Sequence, residues 1–392
     1  MLVLALVLAC GARTGLLVAD RDGGADAGEP DAPYGEFPCT YGRSGDLVPV
    51  GSDRPVTDHP SLAWGGGRLL AAYRGTSPVS VPAIEICAAE ADPYLSCVER
   101  WELGAPAADR PVIAAGADGF ALCWSVELPR VMIDVLDASG RQIMAQFEVL
   151  DDRGVCGGLA WAADRYWALL HFDRYAPDFT VASFDPLDPR STLDLHEFPG
   201  GLSGANASLD GADDVAAFAG PGTESSVLSV YGLSGTGFDE VIVSRERWDE
   251  VSVSVRDDEV GVLWTELGPG GRSILRFALV DAGSGSIHHE TEVARDEGVV
   301  DAVELEAVWD GFLVGTWSRR AESDHLAVVP MRFGDGETMD VRSEILVYDG
   351  PSVDLHDISL TDDGHVAFVG TTLPDEATGR DQALLQLLSC HR

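Results

Sequence analysis

Along most of this chain apolar and polar residues alternate in short runs, and the runs come in pairs joined by tight Asp/Gly turns. Residues 62–73 pair around Gly66-Gly67, residues 113–124 around Asp118-Gly119, and residues 305–317 around Asp310-Gly311. A period of two is the mark of a half-buried strand, and Gly-Gly or Asp-Gly supplies the positive φ angles that two-residue hairpin turns require. Each pair therefore predicts a β-hairpin. Looser copies lie at residues 159–170 (Asp164), 209–218 (Asp213-Asp214), 253–264 (Asp257-Asp258) and 358–368 (Asp363-Gly364). The seven turns fall roughly 50 residues apart, the length of one propeller blade.

A blade has four antiparallel strands, so two more runs should follow each hairpin. Third strands are expected near residues 81–87, 131–136, 180–184, 226–231, 274–280, 325–332 and 383–388. Fourth strands are expected near 97–103, 142–150, 192–198, 240–244, 287–293 and 341–348. The seventh has no candidate at the C-terminus, because only four residues follow Leu388, while residues 39–50 stand unassigned before the first hairpin. The expected fold is an all-β, seven-bladed propeller of four-stranded antiparallel blades over residues 38–392, its ring closed by the N-terminal strand. A β-sandwich or two smaller β domains would also show short strands and many turns, but would not repeat at blade length seven times.

Tyr73, Trp124, Phe218, Trp264, Trp317 and Phe368 recur near the end of the second strand, where wedges between blades need bulk. Packing explains them better than sugar stacking.

Residues 1–10 read Met-Leu-Val-Leu-Ala-Leu-Val-Leu-Ala-Cys, an apolar run ending in Val7-Leu8-Ala9-Cys10. This resembles a bacterial lipoprotein signal with its lipobox. The resemblance implies a signal peptide at residues 1–9, lipidation of Cys10, and a cell-envelope location, as an outer-membrane lipoprotein or a secreted protein. It departs from that pattern in having no Arg or Lys before a rather short run, and an ordinary cleaved secretion signal is the alternative. Residues 10–37 are rich in Gly, Ala, Asp and Pro and bury too little to order themselves, so they read as a tether.

With Cys10 set aside, six of the seven cysteines remain, an even number suited to an oxidising compartment. The propeller register favours Cys39–Cys390 as a ring clasp, Cys87–Cys97 within the first blade, and Cys123–Cys156 between neighbouring inner hairpins. Buried free thiols are the alternative for all six.

The chain carries 65 acidic and 26 basic residues, a net charge of -39, and every basic residue is Arg. Such a field repels phosphates, so nucleic acid is excluded as a partner, and the absence of Lys removes P-loop, Schiff-base and Lys-base chemistry. No Gly-x-Ser-x-Gly elbow or His-Glu-x-x-His motif occurs. His288-His289-Glu290 sits on an expected strand, where adjacent side chains face opposite ways, so no metal is assigned there. Calcium at the Asp-Asp turns is conceivable chemically, yet turn preference explains them without an ion.

In a propeller, the loops entering strand one and those joining strands two and three share one face around the axis. Here they offer His59, Arg74, Asp109, Arg110, His171, Asp249, Asp301, Arg319 and His356. Convergent charges of both signs suit a polar or sugar-like ligand. The expected function is a monomeric binding module at the envelope, with a polysaccharide or an envelope protein as partner. A glycan-cleaving enzyme, with paired carboxylates drawn from Asp58, Asp109, Asp249 or Asp301, and a purely structural protein are the alternatives; no Ser-x-Asp-x-Gly-x-x-Thr-Trp box of the sialidase kind is present.

Overall fold

The computed structural model describes residues 40–49, 56–76, 82–90, 96–103, 111–126, 130–144, 146–150, 154–172, 179–198, 207–222, 227–268, 273–295, 299–308, 311–319, 324–333, 339–341, 345–350, 353–361, 366–372 and 382–391. They form a seven-bladed β-propeller. Blade 1 comprises Val56–Gly65, Arg68–Thr76, Pro82–Glu90 and Ser96–Leu103, paired in sequence order, and blade 2 Val112–Ala115, Gly119–Val126, Arg130–Asp137 and Phe147–Leu150. Blade 3 (Gly154–Ala162, Arg165–Phe172, Phe179–Phe184, Asp194–Phe198) and blade 4 (Ser208–Ala212, Val215–Pro221, Leu228–Ser234, Glu240–Ser244) follow the same order. Blade 5 is Trp248–Arg256, Glu259–Leu267, Ser273–Asp281 and Ile287–Arg295. In blade 6, Val299–Val308, Gly311–Arg319 and Asp324–Phe333 carry an outer strand in two pieces, Met339–Val341 and Ile345–Gly350, each paired to a different half of the third strand.

Blade 7 combines both ends of the chain. Val353–Leu360, Val366–Thr372 and Gln382–His391 are completed by Thr40–Pro49, which runs antiparallel to the last strand with Tyr41 opposite Cys390. The N-terminal strand thus closes the ring, as the missing fourth strand of the seventh repeat requires. The first strands of consecutive blades pack side by side in an unbroken series, the seventh against the first. They therefore encircle the axis.

Turn chemistry matches the sequence at Gly66-Gly67 and at the looser Asp turns, but at the Asp-Gly turns none of Asp118, Gly119 and Gly311 takes the expected positive φ. Gly66 and Gly67 have φ of 58° and 74°, and Asp164, Asp213 and Asp257 take 56°, 49° and 51°, the left-handed conformation that Asp tolerates better than most side chains. At Gly119 a Cβ would stand 2.1 Å from the Leu136 carbonyl oxygen, so this glycine is required by the close approach of the neighbouring strand and not by its φ. The core lies between blades. Tyr73, Trp124, Phe218 and Trp264 are fully buried wedges, as expected of blade packing, whereas the side chains of Trp317 and Phe368 lie outside the described residues. Two of the wedges bring a polar handle that finds a buried carboxylate: the Tyr73 hydroxyl donates to Glu85 (3.0 Å), and the Trp124 indole N–H to Asp134 (2.7 Å).

Two of the three expected disulfides are present, Cys87–Cys97 and Cys123–Cys156. Cys39 lies outside the described residues, and with it the third.

Candidate functional site

The first strand of each blade is a sheet edge, and an edge buried around an axis must find partners for its unpaired N–H groups. Aligning these strands on their hairpin turns puts Ser61, Val112, Gly158, Ser208, Ser252, Glu304 and Asp357 in one column. Ala63, Ala114, Ala160, Asp210, Ser254, Glu306 and Ser359 form the column two residues on. The polar members reach forward to the next blade. Ser61 accepts the Ile113 N–H (3.3 Å), Ser208 that of Val253 (3.1 Å), Ser252 that of Leu305 (2.9 Å) and Asp357 that of Leu62 (2.8 Å). In the second column Asp210 accepts from Val255 (2.9 Å), Ser254 from Ala307 (3.0 Å) and Glu306 from Leu360 (2.9 Å). Side chains also join directly, Ser252 to Glu304 (3.2 Å) and Ser254 to Asp210 (3.1 Å).

The axis is therefore polar on one side and apolar on the other. Blades 4 to 7 and blade 1 carry the hydroxyls and carboxylates, whereas blades 2 and 3 offer only Val112, Ala114, Gly158 and Ala160. At the junction of blades 2 and 3 the fastening is covalent instead, through Cys123–Cys156.

The same sector carries six of the residues singled out by the sequence, His59, Arg74, Asp249, Asp301, Arg319 and His356, whereas His171 falls in blade 3. Immediately before the first column, the pairing of first and second strands slips, leaving a bulge between Asp58 and Ser61 in blade 1, Trp248 and Val251 in blade 5, Val300 and Ala302 in blade 6, and Leu355 and Asp357 in blade 7. These bulges hold His59, Asp249, Asp301 and His356. The sequence places all four in loops; the structure extends the strands through them, with Asp301 and His356 as single extra residues and His59 and Asp249 each one of two residues opposite one. Blade 3 slips likewise, but its extra residue is Gly157, and among the described residues the first and second strands of blades 2 and 4 pair without a slip. Asp249 is exposed and has no hydrogen-bond partner among the described residues.

Arg74 lies within the second strand of blade 1, opposite Asp58, and is half-buried. His171 and Arg319 stand at the corresponding ends of the second strands of blades 3 and 6, where His171 pairs with Val155 and Arg319 with Val299. The side chains of His59, His171, Asp301, Arg319 and His356, and all of Asp109 and Arg110, lie outside the described residues. Glu266 belongs to structure rather than to a site: it accepts from the Trp264 indole (3.1 Å), the Ser244 hydroxyl (3.2 Å) and Arg276 (3.2 Å).

On the opposite face, burial and then the neighbouring carboxylates of Asp257 and Asp214 hold Asp213 above the usual carboxylate range, a repulsion typical of crowded turns. Among the described residues no group of three His, Cys, Asp or Glu side chains is arranged to hold a metal ion.

No protein-family model matches the chain, and no curated protein does. Solved structures match most of its length. The β-propeller domain of the Trilobed protease from Pyrococcus furiosus, with an open velcro topology, aligns at a TM-score of 0.52 and 12% identity over 84% of this chain and 95% of that one. Hsv2 from Kluyveromyces lactis gives 0.49 and 10% over 86% and 98%. Aleuria aurantia lectin in complex with α-methyl-L-fucoside gives 0.45 and 7% over 75% and 97%. At these identities the likeness is one of fold alone, that of a β-propeller.

Proposed function

We propose that this protein is a lipid-anchored binding propeller of the cell envelope, whose mouth between blades 5, 6, 7 and 1 takes a polar, sugar-like ligand such as a polysaccharide segment. One observation carries the reading. Asp249, Asp301, His356 and His59 occupy bulges at one end of the first strands in four consecutive blades. Bulges of this kind re-aim side chains at the rims of closed sheets and next to binding sites. Two carboxylates and two imidazoles provide both acceptors and donors for hydroxyl groups. The adjoining axis is lined by further hydroxyls and carboxylates already occupied with interblade bonds, so the mouth rests on a fixed floor.

A glycan and polysaccharide array, run with and without calcium, tests this. Selective binding that Asp249→Asn and His356→Ala each weaken without lowering thermal stability is the expected result; absence of binding in both conditions, or binding indifferent to both substitutions, removes the mouth. Assaying release of reducing ends from any bound glycan decides between binding and cleavage. For the anchor, incorporation of labelled palmitate should vanish in Cys10→Ala, and label retained by that variant would dismiss lipidation at this residue.

A further inference from the structure

On the outer rim, away from the mouth, blades 1 and 2 leave a groove of about 490 Å³ lined by Glu99, Arg100, Trp101, Arg141 and Gln142. Its size lies within the roughly 300–1,000 Å³ of small-ligand sites. Both walls are held in place. On the blade 2 side, the Asp137 carboxylate accepts the Ser139 N–H (2.8 Å), the Ser139 hydroxyl (2.6 Å) and the Arg141 N–H (3.0 Å), which locks the turn that carries Arg141. Gly140, at φ 81°, lies so close to the Trp101 ring that a Cβ would stand 2.6 Å from it. The Gln142 amide donates to the buried Asp134 carboxylate. On the blade 1 side, Cys97 is bridged to Cys87, and Arg100 Nε donates to Cys97 Sγ at 3.0 Å.

The groove also inverts the local charge. In a chain with 65 acidic and 26 basic residues, it gathers two guanidinium groups against one carboxylate, and Glu99 already stands 3.9 Å from Arg68. Arg141 is exposed and makes no ion pair or side-chain hydrogen bond among the described residues. Its charge is felt by the Asp137 carboxylate of the same turn, which the Ser139 hydroxyl and then backbone N–H groups and Arg141 hold below the usual range, but it closes no ion pair there. A guanidinium fork matches a carboxylate in two parallel hydrogen bonds, and the half-buried Trp101 supplies a flat apolar wall with Gln142 and Glu99 as polar neighbours.

We propose that this groove is a second binding site, for a carboxylate-bearing sugar residue, a hexuronate or sialate-type unit of an acidic glycan. Arg141 takes the carboxylate, assisted by Arg100, while the ring lies along Trp101 and its hydroxyls meet Gln142 and Glu99. This site does not depend on the mouth.

Calorimetric titration of the full chain with oligogalacturonate and with its uncharged methyl ester, at about 0.15 M salt so that the net negative charge is screened within roughly 8 Å, is the test. Expected is binding of the acid but not the ester, weakened at least about tenfold by Arg141→Gln, as loss of a charge-assisted hydrogen bond implies, with the melting temperature unchanged. Arg100→Gln should weaken it less. Equal binding of acid and ester, no binding of either, or unaltered affinity in Arg141→Gln overturns the proposal. If His59→Ala or Asp249→Asn abolishes uronate binding while Arg141→Gln does not, the ligand belongs to the mouth; the groove is then dismissed and the mouth retained.

Discussion

Asp357 and Ser61, 296 residues apart, meet at 2.8 Å where the seventh blade closes on the first. The same carboxylate oxygen accepts the Leu62 N–H at 2.8 Å, and Ser61 passes the connection on by accepting from Ile113 in blade 2. Two consecutive junctions of the ring are thus bridged, alongside their apolar packing, through one buried carboxylate and one hydroxyl. Hydrogen bonds to a charged acceptor contribute about 1.5–3 kcal/mol, more than neutral ones. Asp357→Ala should therefore cost about 2–3 kcal/mol in denaturant unfolding and Asp357→Asn distinctly less, because the amide keeps an acceptor. Equal losses in the two variants would show that packing and not the bond closes the ring.

The pair Trp124 and Asp134 makes a pH-dependent prediction. Burial holds the Asp134 carboxyl above the usual range, and donors from Trp124, Gln142 and Gln146 pull it part of the way back. With its folded pKa raised above the ordinary carboxylate value, this group favours the folded state at low pH, and the contribution fades as pH rises through the folded pKa. Trp124→Phe keeps the wedge but removes a donor, pushing the folded pKa further up. It should destabilise by about 1–3 kcal/mol at neutral pH, with the deficit shrinking as pH falls towards about 4. Melting curves across that interval provide the check.

Asp213 behaves in the same direction at the surface. Its raised pKa, from partial burial and then from Asp257 and Asp214, means that ionisation above the ordinary carboxylate range opposes folding. Asn tolerates the positive φ of 49° at this turn. Asp213→Asn should raise the melting temperature slightly at pH 7 and flatten its fall between acid and neutral pH. The gain is small because the side chain is exposed, and an unchanged pH profile would count against the repulsion.

Removal of the two disulfides should be unequal. The chain-entropy model assigns about 4 kcal/mol to a bridge of sequence separation 33, as in Cys123–Cys156, and about 3 kcal/mol to one of separation 10, as in Cys87–Cys97. The junction of blades 2 and 3 lacks side-chain acceptors in both axial columns, which widens the gap. In hydrogen exchange, Cys123→Ala with Cys156→Ala should expose the first strand of blade 3, whereas the Cys87/Cys97 pair should affect only the outer strands of blade 1.

Much of this architecture was legible in the chain. The Asp/Gly turns at Gly66-Gly67 and Asp118-Gly119 and the aromatic at Tyr73, Trp124 and Trp264 are local signals, and they located the hairpins. Closure by the N-terminal strand followed from counting, since the seventh repeat lacked a fourth strand. The bulges at His59, Asp249, Asp301 and His356 were not legible, because a bulge is a mismatch between two strands and exists only once their register is known. The Ser61–Asp357 bond hid for another reason. Its signal lies in columns of aligned first strands, where a Ser or acidic residue stands at positions that pure packing would fill with Val or Ala. The groove at Arg141 joins an outer strand to a turn of the next blade, a juxtaposition that repeat length alone does not reveal.

Closing the circle with the first strand of the chain has a mechanical consequence. Thr40–Pro49 is the outermost strand of blade 7 and is joined at its start to everything that precedes residue 40. Tension borne by that leading segment enters the propeller through its own latch, at the Thr40–His391 pair, and acts on the last strand's backbone bonds one after another. A load that the six other blades would never feel becomes, for this strand, a pull on the fastening of the whole ring.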